Sequence, residues 1–115
     1  MDNPDIDEHG AKRWYNANGR LHRDDGPAVI YASGTKDWYQ HGYMHRDNGP
    51  AYEGVAGSKA WYQHGKLHRT DGPAIEHANG TKSWWLNDVR LTFDQWLDKV
   101  DMLDEKKVMM KLTHG

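Results

Sequence analysis

The side chains of this chain that could do chemistry fall at a fixed interval. His22-Arg23, His45-Arg46 and His68-Arg69 stand 23 residues apart. Eight histidines in all invite a metal centre, and His41-x-x-x-His45 and His64-x-x-x-His68 have the spacing of zincin-type ligands. That spacing converges two imidazoles only on a helix, whereas a His-Gly turn signal lies within each of these. Equivalent histidines of successive copies would sit two strands apart, roughly 9–10 Å at about 4.8 Å per strand. A metal holds nitrogen at about 2.0–2.1 Å. His45 and His68 are therefore expected to pack or hydrogen-bond, with no metal and no cofactor.

The second candidate chemistry is anion recognition. Arg23, Arg46 and Arg69, with Lys12, Lys36, Lys59 and Lys82, lie beside Trp and Tyr residues such as Trp38 and Trp61. Cations next to aromatic rings suit a small nucleotide, with its base stacked and its phosphates on Arg. Local pairing is the competing reading. Arg23 adjoins Asp24 and Asp25, Arg46 adjoins Asp47 and faces Asp37 in the register expected below, and Arg69 lies two before Asp71. Repetition in every unit favours the structural role, because one ligand site breaks a repeat's symmetry. Such breaks do occur. Tyr43 stands where Arg20 and Lys66 stand; Tyr31, Gly54 and His77 share one position; Asp37, Ala60 and Ser83 share another. Tyr31, Tyr43 and Tyr52 make the middle of the chain its most aromatic region, which reads as core completion, a dimer contact or a small-molecule pocket. The candidate partner- or ligand-binding set is Trp38, Trp61, Tyr31, Tyr43, Tyr52, Arg46, Arg69, His45 and His68.

No catalytic set emerges. The chain has no Cys, hence no thiolate nucleophile and no disulfide. Ser33, Ser58 and Ser83 sit in different phases of the repeat without a shared His-Asp partnership. A net charge of −2 and a pI near 6.4 argue against duplex nucleic acid. No run approaches the ~18 apolar residues of a membrane span, and the acidic start is no signal peptide. A non-catalytic protein of the cytoplasm is expected, that of a host cell if the source is viral.

The elements that position these residues follow from the repeat. Each unit reads G-x-K-x-W-Y-x-x-G-x-x-H-R-x-x-G-P-A plus five variable residues. Asn18-Gly19, His41-Gly42, His64-Gly65 and Asn87-Asp88 mark one set of turns; Ser33-Gly34, Ala56-Gly57 and Asn79-Gly80 mark the other. The fold class expected is mainly β, a repeat-built antiparallel meander of about seven or eight short strands in 23-residue hairpin units, with a C-terminal α-helical cap. Two-residue turns place Tyr39 opposite Met44 and Gln40 opposite Tyr43. They also place Trp38 beside Val29, Trp61 beside Tyr52 and Trp84 beside Ile75 and Leu91. Residues 1–9 read as a frayed acidic tail, 10–92 as hairpin repeats in a single sheet, and 93–115 as the cap. Thr92 and Gln95 have capping-box spacing ahead of Phe93, Trp96, Leu97 and Val100. Leu, Ile, Val and Phe make only 16 of 115 residues, below the roughly 20% of ordinary folded chains. Six Trp and six Tyr supply the missing apolar area on two aromatic faces.

A 23-residue hairpin period with W-Y-x-x-G and N-G-x-K signals resembles the MORN repeat. The W-Y-x-x-G-x-x-H-R-x-D-G-P-A form, over about residues 10 to 92, is similar to repeats in small proteins of large tailed phages and giant viruses. The resemblance implies a phage-type accessory protein that inhibits a host factor, such as a defence protein, or sequesters a signalling nucleotide. A structural adaptor or antitoxin-like protein that binds another protein is the alternative. An aromatic face too wide for one short helix to cover implies a homo-oligomer or a docked host protein.

Overall fold

The computed structural model describes residues 3–114. Nine strands make the main antiparallel sheet: β1 (Asp5–Ile6), β2 (Lys12–Arg13), β3 (Val29–Ile30), β4 (Lys36–Asp37), β7 (Tyr52–Glu53), β8 (Lys59–Ala60), β11 (Ile75–Glu76), β12 (Lys82–Leu86) and β13 (Val89–Leu91), paired in that order. Two further ladders stand beside it, β5 (Tyr39–Gln40) with β6 (Tyr43–Met44), and β9 (Tyr62–Gln63) with β10 (Lys66–Leu67). Helices α1 (Phe93–Lys99) and α2 (Asp104–His114) follow. The chain is thus a mainly β antiparallel meander with a helical C-terminus. Among the described residues, no helix is long and apolar enough to cross a membrane.

The expected seven or eight strands are broken at Trp14, Trp38 and Trp61 into thirteen short ones among the described residues, while β12 runs on through Trp84. Trp38 donates its amide N–H to the Ala51 carbonyl at 2.7 Å, within the main sheet. Its own carbonyl accepts from the His45 amide at 3.1 Å, on the hairpin side. Trp61 repeats this with Ala74 and His68, and Trp14 with Ala28 and His22. Each tryptophan backbone therefore splices a sheet hairpin to a side hairpin.

The two kinds of turn differ, and that difference sets the register. His41 and Gly42 both have positive φ, 52° and 86°, as a two-residue type I′ loop requires, and Tyr39 pairs with Met44 as expected. At the other end the loop holds three residues. Tyr31 donates to the Thr35 carbonyl, Gly34 donates back to Tyr31, and Gly34 takes φ 101° as the bulge residue. The extra residue slips the pairing by one, and a one-residue slip exchanges the faces. Val29 and Tyr52 therefore face Asp37, and Ile75 faces Ala60 and Ser83, in place of the tryptophans. Trp84 still pairs with Leu91. On the opposite face, Lys36, Glu53, Lys59, Glu76 and Lys82 alternate in sign from strand to strand.

Secondary structure extends to both ends of the described residues. The acidic start, expected to fray, forms an edge strand in which Asp5 pairs with Arg13. Asp7 holds the connecting turn by accepting from Arg13, from the His9 amide and from the Ala11 amide. The Arg13 hydrogen bond and these amides keep its carboxyl at about 2. At the other end Thr92 and Gln95 form the expected capping box. Trp96, Leu97 and Val100 are buried against Trp84, with Leu86, Leu91, Phe93, Met102 and Met110 around them. The helices thus cover the last tryptophan and leave the tyrosine side of the sheet open.

Candidate functional site

The repeated cations build the scaffold. The guanidinium carbons of Arg23, Arg46 and Arg69 lie 3.8, 3.9 and 3.7 Å from the ring centres of Trp14, Trp38 and Trp61. A Cβ on Gly26, Gly49 or Gly72 would come within 3.1, 3.1 or 2.7 Å of the same carbons, so each planar cation is clamped between an indole and a bare Cα. Arg46 donates to the Pro50 carbonyl and to Glu53, and Arg69 to the Pro73 carbonyl, Glu76 and Asp71. The H-R-x-x-G-P-A signature is the sequence of this clamp, and each stacked cation contributes about 0.5–2 kcal/mol. Arg46 does not pair with Asp47 or Asp37, as the expected register had it. The hairpin ladder ends at Trp38, where Arg46 turns over the indole, while Asp37 pairs with Val29 and Tyr52 in the main sheet and Asp47 is taken by His45 at 2.8 Å.

The histidines join one unit to the next. Nδ1 of His22, His45 and His68 accepts from the backbone N–H of His41, His64 and Asn87. An Nδ1 that accepts leaves the proton on Nε2, which in His45 donates to Asp47 and in His22 to Asp24. The ring centres of His45 and His64 lie 4.6 Å apart, with the planes tilted by 45°. Gln40 and Gln63 add a second tie, each donating to an arginine carbonyl of the preceding unit, Arg23 and Arg46, at 2.8 Å. The matching carbonyl of Arg69 accepts from the Trp96 indole, also at 2.8 Å. The cap thus occupies the place of a further unit's glutamine. Among the described residues, no three His, Asp or Glu side chains are grouped where they could hold a metal.

The tyrosine face departs from this regularity. A shallow, open cavity of about 590 Å³ is lined by Tyr31, Asp37, Met44, Tyr52, Ala60 and Tyr62, together with Ser33 and Thr35. Asp37, 6% exposed, is the one acid at a repeat position whose other members are Arg13, Ala60 and Ser83. Its Oδ2 accepts from the Tyr31 hydroxyl at 3.0 Å, while the buried Oδ1 has no hydrogen-bond partner among the described residues. Burial pushes the Asp37 carboxyl up, against the lowering effect of that hydrogen bond. Burial, and then the bond to Asp37, pushes the Tyr31 phenol up to about 12. Tyr39 and Tyr62 are raised as well, chiefly by burial. Gly54 stands in place of Tyr31 in the next unit because a Cβ there would lie 2.9 Å from the Tyr52 hydroxyl. The two breaks in symmetry are one arrangement, with Tyr31 reaching Asp37 and Gly54 making room for Tyr52.

Of the residues singled out from the sequence, only Tyr31 and Tyr52 meet in this cavity. Tyr43 lies at a hairpin tip, 58% exposed, against the Cα of Gly65. Trp38, Trp61, Arg46, Arg69, His45 and His68 form the clamps and the ties between units. They also line two open grooves of about 900 and 880 Å³, one with Arg46, Trp61, His68 and Arg69 and the other with Trp38, Tyr43, His45 and Arg46. Asp37, Met44 and Tyr62 join the site from outside that set. A lone acid among equivalents reading Ala60 and Ser83 was the available signal. No family model, no curated protein and no solved structure matches this chain.

Proposed function

We propose that the chain is a non-catalytic binding module whose tyrosine face takes a protein partner. Following the phage-type resemblance, that partner is a host factor in the host cytoplasm, which the module blocks. The observation that carries the reading is Asp37: a buried carboxylate, found in one unit only, on a tyrosine-lined face that the helices leave open. Repeat symmetry is broken there, whereas the stack on tryptophan and the bond to the proline carbonyl recur in all three clamps. The arginines support a protein over a nucleotide as the occupant. Each covers the tryptophan face on which a base would stack, and each already donates to a carbonyl and a carboxylate.

Affinity capture from host lysate tests this, run with the wild-type chain, Tyr62→Ala and Arg46→Lys. Stoichiometric capture that Tyr62→Ala loses and Arg46→Lys keeps is expected. Equal capture by all three, or a nucleotide that co-purifies and quenches tryptophan fluorescence, overturns the reading. Light scattering then tells a second copy of this chain from a different one.

A further inference from the structure

We propose that the Asp37 cavity is a receptor for a protonated alkylamine, the chemistry shared by a lysine side chain and a free aliphatic amine. The inference rests on the tyrosine face being a binding surface and names the group it accepts.

The charge is the first argument. Asp7, Asp25, Glu53, Asp71 and Glu76 each have an arginine partner at 2.7–3.1 Å. Asp37 has a phenol alone, and its second oxygen has no partner among the described residues. A buried carboxylate without a counter-charge is destabilising, and a cation within about 4–6 Å removes that penalty. The walls are the second argument. Tyr31, Tyr52 and Tyr62 border the same cavity, and tyrosine ring faces attract ammonium groups more strongly when both are withdrawn from water. Met44 and Ala60 supply apolar surface for a methylene chain, which a lysine buries while its head seeks charge.

The repeat supplies the third argument. Ala60 and Ser83 occupy the equivalent position without an acid, so the sheet forms without one. Asp37 is thus surplus to folding and specific to this cavity. The geometry also selects among cations. A guanidinium binds best through two parallel bonds to both oxygens of a carboxylate, and Tyr31 already holds Oδ2. A single-headed ammonium does not need that fork.

The test uses the full chain and follows the ring resonances of Tyr31, Tyr52 and Tyr62 by NMR. The probes are n-butylammonium, a short lysine-bearing peptide, the same peptide acetylated at Nζ, and n-butanol. Both amines are expected to shift these rings saturably, while the acetylated peptide and the alcohol leave them unmoved. Asp37→Ser, which installs the residue found at position 83, should weaken amine binding by about ten-fold or more. Asp37→Ala, after position 60, should do the same, with circular dichroism confirming that both variants keep the fold. Tighter binding of the peptide than of n-butylammonium assigns the site to a partner's lysine, and the reverse assigns it to a free amine. No saturable shift from either amine, unchanged affinity in Asp37→Ser, or equal binding of n-butanol overturns the proposal. A partner captured on the tyrosine face with no amine binding would leave the module reading standing and sink this one. Amine binding with no captured partner would do the opposite.

Discussion

The Arg46 guanidinium carbon lies 3.9 Å from the centre of the Trp38 ring, and Gly49 closes on its other side with no Cβ to intervene. The repeat's most conspicuous string is thereby explained: tryptophan supplies one wall, glycine the other, and the proline carbonyl the acceptor. The arrangement predicts graded damage. A methyl group on Gly49 would meet the cation at 3.1 Å and one on Gly72 at 2.7 Å. Gly72→Ala should therefore destabilise more than Gly49→Ala, within the about 1–3 kcal/mol of overpacking. Most of the Gly49→Ala cost should vanish when Arg46 is already Ala, a coupling that denaturant unfolding of the four proteins would measure. Additive costs would dismiss the clamp.

Trp96 is wholly buried and its indole donates to the Arg69 carbonyl. Trp96→Phe keeps most of the apolar area and removes the donor, leaving a carbonyl unsatisfied at about 1–3 kcal/mol. Trp96→Ala adds a cavity and should reach about 3–5 kcal/mol. Thermal unfolding that ranks Phe and Ala together would mean that the hydrogen bond is immaterial.

Asp37 should make the protein less stable at neutral pH than it needs to be. Its folded carboxyl is raised above the ordinary value of 3.8, so the folded state holds the proton more tightly than the unfolded chain does. That contribution is fully present below 3.8 and is lost as the pH rises through the folded value. Asp37→Ser should therefore raise stability at pH 7, by about 1–2 kcal/mol for a buried acceptor left unsatisfied, and much less at pH 3. Asp7, lowered to about 2, acts in the opposite sense, since its stabilisation is lost as the pH falls from 3.8 toward 2. Both proteins carry Asp7, so it cancels in the comparison. An equal gain at both pH values would show that Asp37 ionisation is not the cause.

Tyr31 should ionise well above the ordinary tyrosine range. Burial and the bond to Asp37 hold its phenol near 12 against an ordinary 10.0. An alkaline absorbance titration should show a tyrosinate forming near 12, which Asp37→Ser draws back toward 10.0 without fully restoring it, because burial remains. A single uniform transition near 10 in both proteins would rule this out.

The parts of the molecule governed by neighbouring residues were legible in the chain itself. His41-Gly42, His64-Gly65 and Asn87-Asp88 announce two-residue turns, Thr92 and Gln95 announce the helix start, and both are found, whereas Asn18-Gly19 closes a three-residue loop between Asn16 and Arg20. Ser33-Gly34 was ambiguous, because a glycine with positive φ serves a two-residue loop and a bulged three-residue loop equally well. That one residue decides which side chains share a face, so Trp38 read as the neighbour of Val29 when Asp37 takes that place, between Val29 and Tyr52. The stacking of Arg46 on Trp38 was hidden for a different reason. Its clue is a glycine three residues after the arginine whose role is to lack a side chain, which is invisible until the backbone is placed. Trp96 acting for a glutamine crosses from helix to sheet and leaves no trace in the period.

The carbonyl that Trp96 occupies is one that each unit presents, at Arg23 to Gln40 and at Arg46 to Gln63. The cap therefore seals the end of an array without reference to its length. A whole 23-residue segment could be inserted or removed ahead of it and the same plug would fit. The amine receptor does not scale in this way. Duplicating the unit around Trp61 lengthens the scaffold but copies Ala60, and adds no second charge. Copy number and recognition are thus inherited separately: one is counted in units, and the other rests on a single aspartate.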